Sequence, residues 1–493
     1  MQTPLHLDCT EYLEAANEVP AGQKPASFFS KENGVKAIER EHPEYVARKA
    51  MWEQYGDLYT GGEQFKARAG NYLVRRQKEP ADVYWERLSR VFYENYMGSI
   101  IDWYAATLFR REPVVAIEGV NEVGRGFFNG FIEDCDLKGT NFTDFFRQTF
   151  VNTLVNGSSY VLVDFPHSEK QAANRAEEDL LGASRAYLVN YTPEDIINWG
   201  KDSYGNFDWV VIRTNHWKHE SAESDPFVET RWMYLDRTTF QIYQKIDHAG
   251  KEQHPSLVAE GLHGFAKLNK VPLLDLRISD GMWLMNKAAS LQMEHFNKSN
   301  ALSWALTMGL FATPVIYSDR EWNQIVGESY YIQLSPQDRF GWAEPEGRVY
   351  QIASDNLNRL KDEIYRVCYL LSQAGQAGSR PISGLSKQMD FAITQEVLRA
   401  YGDAVKDLMR RTLTAIQTAR EDNLSVHVSG LDEFDIGDFS AAIDEASKLL
   451  ALGIESQTLK KQIYKNLVFQ YLSDESQQVK DSISLEIDAL FLK

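Results

Sequence analysis

The chain has 493 residues, with 52 Lys and Arg against 70 Asp and Glu, a formal net charge of −18. That length allows about three domains, and a 43% hydrophobic, 12% aromatic composition rules out wholesale disorder. The charge balance argues against a sequence-specific DNA binder held by a broad basic face, while it suits a protein that lets a polyanion pass without gripping it.

Residues 1–34 are polar, carry Pro20, Gly22 and Pro25, and read as a loosely attached arm. Glu41–Leu58 takes a helical pattern that Gly61 and Gly62 break. Pro80 opens a long helical stretch in which Trp85, Leu88, Phe92, Tyr96, Ile100, Trp103 and Leu108 recur three to five apart on one face. Arg110, Arg111 and Pro113 close it, with cations in the last turn and a proline beyond. Phe142–Val155 is another amphipathic helix, with Asn141 or Thr143 as its N-cap and Gly157 at its end. Ser159–Asp164 follows as a buried strand.

From Tyr187 to Leu276 the period changes to that of a sheet. Trp209–Arg213, Val228–Leu235 and Phe240–Ile246 read as antiparallel strands, and Asp236–Thr239 as a hairpin connection. Lys267–Leu276 leads out of this sheet. A helix resumes after Gly281 and runs to about Met308, with Pro314 beyond it. The low-charge run Ser299–Ser318 reads as core. Val315–Tyr350 is a mixed, aromatic-rich insert holding Pro336 and Pro345, and Asp355–Gln373 is the next helix, with Asp362 and Arg366 spaced as an i,i+4 ion pair. Ala374–Ser386 holds Gly375, Gly378 and Gly384 and no acid. Lys387–Asp422 is the longest helical pattern, about 36 residues or ~54 Å. Val426–Ser429 is a short strand, and Gly430–Lys493 is helical and acidic, with 12 acids against 6 bases. No internal repeat is visible.

Cys9, Cys135 and Cys368 are isolated, which fits reduced thiols and not a disulfide scaffold. Met1–Thr10 has neither a basic n-region nor an apolar h-region, so no signal peptide is expected. No stretch reaches ~18 uncharged apolar residues, so no membrane span is expected. Zinc-ligand spacings are missing, and His216 with His219 reads as a surface pair. Gly124–Gly130 only loosely imitates a dinucleotide loop, with no strand expected before it. Gly375–Ser379 lacks the Lys-Ser/Thr of a phosphate-binding loop, and no G-x-S-x-G elbow occurs. No catalytic residue, metal ligand or cofactor site is therefore nominated, and the pattern points away from an enzyme.

The order of elements is more informative than any one piece. Arg90-Val-Phe-Tyr-Glu-Asn-Tyr, Asn156-Gly-Ser-Ser-Tyr-Val-Leu-Val-Asp-Phe-Pro, Tyr191-Thr-Pro-Glu-Asp-Ile-Ile-Asn-Trp, Pro272-Leu-Leu-Asp-Leu, Ile382-Ser-Gly-Leu-Ser and Gly453-Ile-Glu-Ser-Gln-Thr occur in that sequence. Together with the element order, they make the chain from about Glu41 to Leu492 resemble the portal proteins of tailed bacteriophages. The resemblance implies a helix-rich α+β portal fold, assembled as a ring of twelve copies at one capsid vertex. Double-stranded DNA would be packaged and ejected through it. Terminase, major capsid or scaffold, and head-completion or tail proteins would be its partners. There would be no catalysis, since the packaging ATPase is the terminase.

Carried over by position, 1–34 is an arm, 35–280 the wing, 281–307 and 355–373 the two stem helices and 308–354 the clip. Residues 374–387 form the tunnel loop, 388–429 a long wing helix with a short strand, and 430–493 the crown. The loop cations Arg380 and Lys387 are then candidates to meet DNA, with the stem cations Lys287, Lys298, Arg359, Lys361 and Arg366 behind them. The same cations also suit an ordinary solvated helix face. Trp322, Tyr330, Tyr331, Phe340, Trp342 and Tyr350 are clip candidates for partner contacts, because so short an insert cannot bury that many aromatic rings by itself. Asp432, Glu433, Asp435 and Asp438 precede a tail helix bearing Ile443, Leu449 and Leu452, where acids suit the helix dipole and would repel packed DNA. A head-completion or minor capsid protein without a channel is the alternative, and an enzyme with scattered carboxylates ranks last.

Overall fold

A computed structural model describes residues 38–119, 121–166, 184–219, 221, 224–247, 254–309, 313–317, 337, 339–343, 347–370, 384–432, 434, 446–451, 454–471 and 477–491. The chain divides into two compact units. Ile101–Met285, Ala392–Lys493 and the stretch up to Gly56 form one; Asp57–Ile100 and Asn286–Phe391 form the other. The fold is α+β and helix-rich, as expected.

α1 (Pro43–Thr60) ends at Gly61, whose φ of 61° only glycine adopts without cost, and the short α2 (Gly62–Arg68) follows. The single helix expected after Pro80 is two, α3 (Ala81–Ser89) and α4 (Tyr96–Leu108). Arg90 leaves helical geometry at φ −100°, and Asn95 starts the next helix by accepting the Gly98 N–H at 2.8 Å. The apolar stripe is broken accordingly. Trp85 is 64% exposed, while Met97, Ile100, Ile101, Tyr104 and Leu108 are buried. On α3 the buried group is polar: Arg87 donates to both carboxylate oxygens of Glu79 at 2.7 Å.

β1 (Val114–Glu118) is a strand that the sequence pattern does not predict; it pairs antiparallel with β12 (Ser425–Ser429), which the pattern does predict. α5 (Glu122–Glu133) contains Gly124, Gly126 and Gly130. A strand does precede it, against expectation, but the glycines are helical, so no phosphate-cradling loop exists there. α6 (Phe142–Asn156) has Asn141 as N-cap, accepting the Asp144 N–H at 2.7 Å, and Gly157 behind it at φ 82°. A Cβ on Gly157 would lie 2.9 Å from the Trp283 indole.

β2 (Ser158–Asp164) is the middle of a three-stranded antiparallel sheet, between β3 (Tyr187–Tyr191) and β9 (Leu273–Arg277). The Lys267–Leu276 segment therefore does not simply lead out of a sheet; it ends as an edge strand of this one. A second sheet is an antiparallel meander of β4 (Ile196–Lys201), β5 (Phe207–Lys218), β6 (Phe227–Asp236), β7 (Thr239–Asp247) and β8 (Ser256–Leu262). The β6–β7 hairpin is pinned by Asp236, whose carboxylate accepts the N–H groups of Thr238 at 2.7 Å and Thr239 at 2.6 Å. Alternation along β5 sends Val210 and Ile212 into a core with Tyr160, Leu162 and Leu235, and Val211 into another with Trp52, Trp232 and Tyr234. Both faces of this sheet are covered at its middle, which is why Trp209–Arg213 reads as a nearly continuous apolar run.

In the second unit, α7 (Leu284–Gly309) is followed by β10 (Thr313–Tyr317), β11 (Arg339–Ala343) and α8 (Gly347–Val367). β10 and β11 pair antiparallel from Thr313 opposite Ala343 to Tyr317 opposite Arg339. The helix expected over Asp355–Gln373 starts earlier and ends sooner. Val349 and Ile352 are 63% and 59% exposed and blur the apolar pattern at its start. The core reading of Ser299–Ser318 does not hold at Ala301–Thr307, which is half-buried or exposed, with Leu306 42% accessible. α9 (Gly384–Arg420) has 37 residues, and its inner stripe runs through Leu398, Tyr401, Val405, Leu408, Thr412 and Ile416. At its end Arg420 bonds Asp422 at 2.7 Å and lies 3.6 Å over the Phe127 ring. In the tail, α10 (Gln457–Tyr471) and α11 (Gln477–Leu490) are joined by Lys461 and Lys465, which both reach Asp488.

Candidate functional site

The site the sequence nominates centres on α7 and α8. α7 is moored through side-chain amides, a device that apolar periodicity does not show. Asn297 accepts the Val74 N–H at 2.9 Å and donates to the Tyr72 carbonyl at 3.1 Å. Asn300 brackets Phe92, accepting its N–H at 3.1 Å and donating to its carbonyl at 2.9 Å. Gln292 donates to the Glu94 carbonyl at 2.8 Å. Each satisfies backbone groups of the non-helical stretches 72–74 and 92–94. Beside them His295 is buried, and burial pushes its pKa down; Glu94 opposes that shift and Lys361 adds to it. α8 is held by Leu360 and Ile364, with Cys368 and Leu370 buried just beyond its end. Burial pushes the Cys368 thiol up to about 12, so it is inert as a nucleophile.

The five nominated stem cations separate by environment. Lys287 lies 3.9 Å over the Tyr369 ring, a cation–π seat. Lys298 is shared between Glu294 at 2.9 Å and Asn356 at 3.0 Å. Lys361 is half-buried, 6.0 Å from the Tyr96 ring. Arg366 is exposed but gripped by both oxygens of Glu363, at 2.7 and 2.5 Å, not by Asp362 as its i,i+4 spacing suggests. That double hydrogen bond holds the Glu363 carboxyl below its ordinary range. Arg359 is exposed and has no hydrogen-bond partner among the described residues.

Arg348, not singled out from sequence, belongs with Arg359. Helical geometry puts Arg348, Asp355, Arg359, Asp362 and Arg366 within about 60° of one another on α8, and all five are exposed. They form one stripe about 27 Å long in which the charge sign alternates. Spacings of seven, four, three and four carry this signal, and it was there to be found.

The other nominated residues fall differently. Arg380 lies outside the described residues. Lys387 lies in the first turn of α9, not in a loop, because α9 begins at Gly384. Trp322, Tyr330 and Tyr331 lie outside the described residues as well. Phe340 and Trp342 are on β11, opposite Ile316 and Pro314. Tyr350 is on α8, half-buried, and its hydroxyl donates to the Ala305 carbonyl of α7 at 3.4 Å. In the tail, Asp432 lies 4.0 Å from Lys406 and Leu449 is exposed. Glu433, Asp435, Asp438, Ile443 and Leu452 are outside the described residues. His216 bonds Thr214 at 3.1 Å. Among the described residues no group of three or more His, Cys, Asp or Glu is placed to hold a metal ion, and no helix is long and apolar enough to cross a membrane.

No family profile matches the chain, and no curated protein does. Among solved structures it is similar to a chain in the neck of an empty GTA particle computed with C6 symmetry, with 13% identity over 73% of this chain and 85% of that one, at a TM-score of 0.35. It is also similar to a chain in the virion of a native gene transfer agent (GTA) particle, with 12% identity over 79% of this chain and 94% of that one, at a TM-score of 0.34.

Proposed function

We propose that the chain is a portal-type subunit, one of a ring of about twelve that forms a channel for double-stranded DNA at a capsid vertex. The observation that carries this reading is the order α7, β10–β11 pair, α8, α9. Two helices of 26 and 21 residues flank the antiparallel pair β10–β11 and are followed by a 37-residue helix. The sequence resemblance asks for stem, clip, stem and long wing helix in that order. The alternating stripe on α8 suits a channel wall. Arg348 and Arg359 offer weak phosphate contacts, and Asp355 and Asp362 between them stop those contacts from adding up to a grip. Arg380 and Lys387, the β10–β11 region and the acidic tail are assigned by the same reading to DNA, to terminase or head-completion proteins, and to the inner rim. Purified protein imaged by negative-stain electron microscopy tests the proposal. The expected particles are closed rings with a central hole wide enough for a duplex. Rings or discs without such a hole would favour the head-completion reading instead.

A further inference from the structure

A cavity of about 920 Å³ lies in the unit that holds the two larger sheets, on residues to which the portal reading assigns no role. It is lined by the edge strand β9, the β8–β9 connection that carries Lys270, the last turns of α9, and the β4–β5 and β6–β7 connections. Two features of it point to the same kind of occupant.

The first is the open edge of β9. β9 pairs with β2 and has no second neighbour among the described residues. The Val163 N–H bonds the Pro272 carbonyl and the Ile278 N–H bonds the Gly157 carbonyl, so the even-numbered positions of β9 face β2. In an antiparallel ladder the intervening residues point the other way. The N–H groups of Leu273 and Asp275, and the Leu273 carbonyl, therefore face away from β2. The Asp275 carbonyl does too, and Arg411 of α9 donates to it at 2.6 Å, which shows that this edge accepts hydrogen bonds from the cavity side.

The second is charge. Arg237, Lys270, Arg410 and Arg411 line the cavity against only Asp202 and Asp275, in a chain of net charge −18. Lys270 is exposed and has no partner among the described residues, and exposed Arg410 pairs among them with half-buried Asp407 one turn away, which Arg411 shares.

We propose that this groove docks an extended, acidic peptide segment of another chain as a strand added along β9, with Lys270 and Arg410 meeting its carboxylates. Main-chain hydrogen bonds to the strand edge supply the orientation and the cations supply the selection. A nucleic acid would satisfy the cations but has no backbone ladder to offer the edge. The proposal does not depend on the portal reading, since it uses none of the stem, loop or tail residues.

Fluorescence anisotropy on the full chain tests it, with a labelled ten-residue peptide of alternating glutamate and valine. The expected result is salt-sensitive binding that weakens about tenfold or more in the Lys270→Glu, Arg410→Glu variant. The same peptide N-methylated at every residue keeps its charge but has no N–H to donate along either edge, so it cannot add as a strand, and is expected to bind at least about tenfold more weakly. That comparison leaves the protein unchanged, so misfolding cannot imitate it. No binding, equal binding of the N-methylated peptide, or equal competition by a DNA duplex would each overturn the proposal.

Discussion

Asp164 shows how a single residue links burial to pH. It sits at the end of β2 opposite Tyr187, whose hydroxyl it accepts at 3.2 Å, and it also accepts the Phe165 N–H at 2.8 Å. Burial pushes its pKa up to about 7, and these two hydrogen bonds only partly offset the shift. The folded state therefore holds this proton more tightly than the unfolded chain, where a carboxyl titrates near 4. Stability present below about pH 4 is lost as pH rises to about 7 and is flat above it, a change on the order of 4 kcal/mol. Asp164→Asn is expected to remove that slope, which calorimetric Tm values at successive pH values would reveal. A pH profile identical to wild type would remove Asp164 as its source. The Arg87–Glu79 pair is the other costly residue-scale feature, with both side chains almost wholly buried. Arg87→Ala strands the Glu79 carboxylate and is expected to cost about 3–5 kcal/mol in denaturant unfolding. Replacing both by Met should recover much of it.

At the scale of elements, caps and close approaches decide where helices stop and how tightly they pack. Asn95 starts α4 and also donates to the Tyr59 carbonyl at 2.8 Å, so one side chain sets both a helix start and a tertiary contact. Asn141 and Gly157 bound α6 as their residue types suggest, and that helix was legible from its ends inward. The α3–α4 break was not, because the apolar residues on either side of Asn95 continue a helical spacing. Gly402 on α9 is a stronger case. A Cβ there would run into the Leu431 carbonyl, where the chain after β12 crosses the helix. Intrinsic propensity favours alanine over glycine in a helix by about 1 kcal/mol. Gly402→Ala is nevertheless expected to destabilise by about 2 kcal/mol or more, because the obstacle is backbone and cannot rotate away. A stabilised variant in urea titration would show that the crossing segment yields.

For the whole molecule the distribution of charge matters more than its total. In the proposed portal, a chain of −18 would repel phosphates in general, so the exposed cations on α8 would carry whatever guidance a passing duplex receives there. Replacing Arg348 and Arg359 by Ser leaves Asp355 and Asp362 with Arg366, which Glu363 already neutralises. Folding stability should change by no more than about 0.5 kcal/mol, since both arginines are exposed. In particles built with the double variant, the length of packaged DNA measured by pulsed-field gel is expected to fall. Normal packaged length with normal stability would leave the stripe as an ordinary solvated surface.

By itself the sequence determined the helix-rich α+β class, the long α9, the α6 boundaries and the antiparallel strands around Asp236. Each rests on local periodicity or on residues that cap and turn the chain within a few positions. It also held the order of elements on which the portal resemblance depends. Only the tertiary structure decided that β1 pairs with β12, that β9 is an edge strand with a face open to a charged groove, and which stem cations are occupied. Those outcomes depend on partners far away in the chain: Ser425–Ser429 for β1, Arg411 for the β9 edge, Tyr369 for Lys287. Even Arg366, whose partner is local, chose Glu363 over Asp362, because at three residues' spacing both carboxylate oxygens reach the guanidinium. Spacing shows which groups are near enough to pair, and packing selects among them.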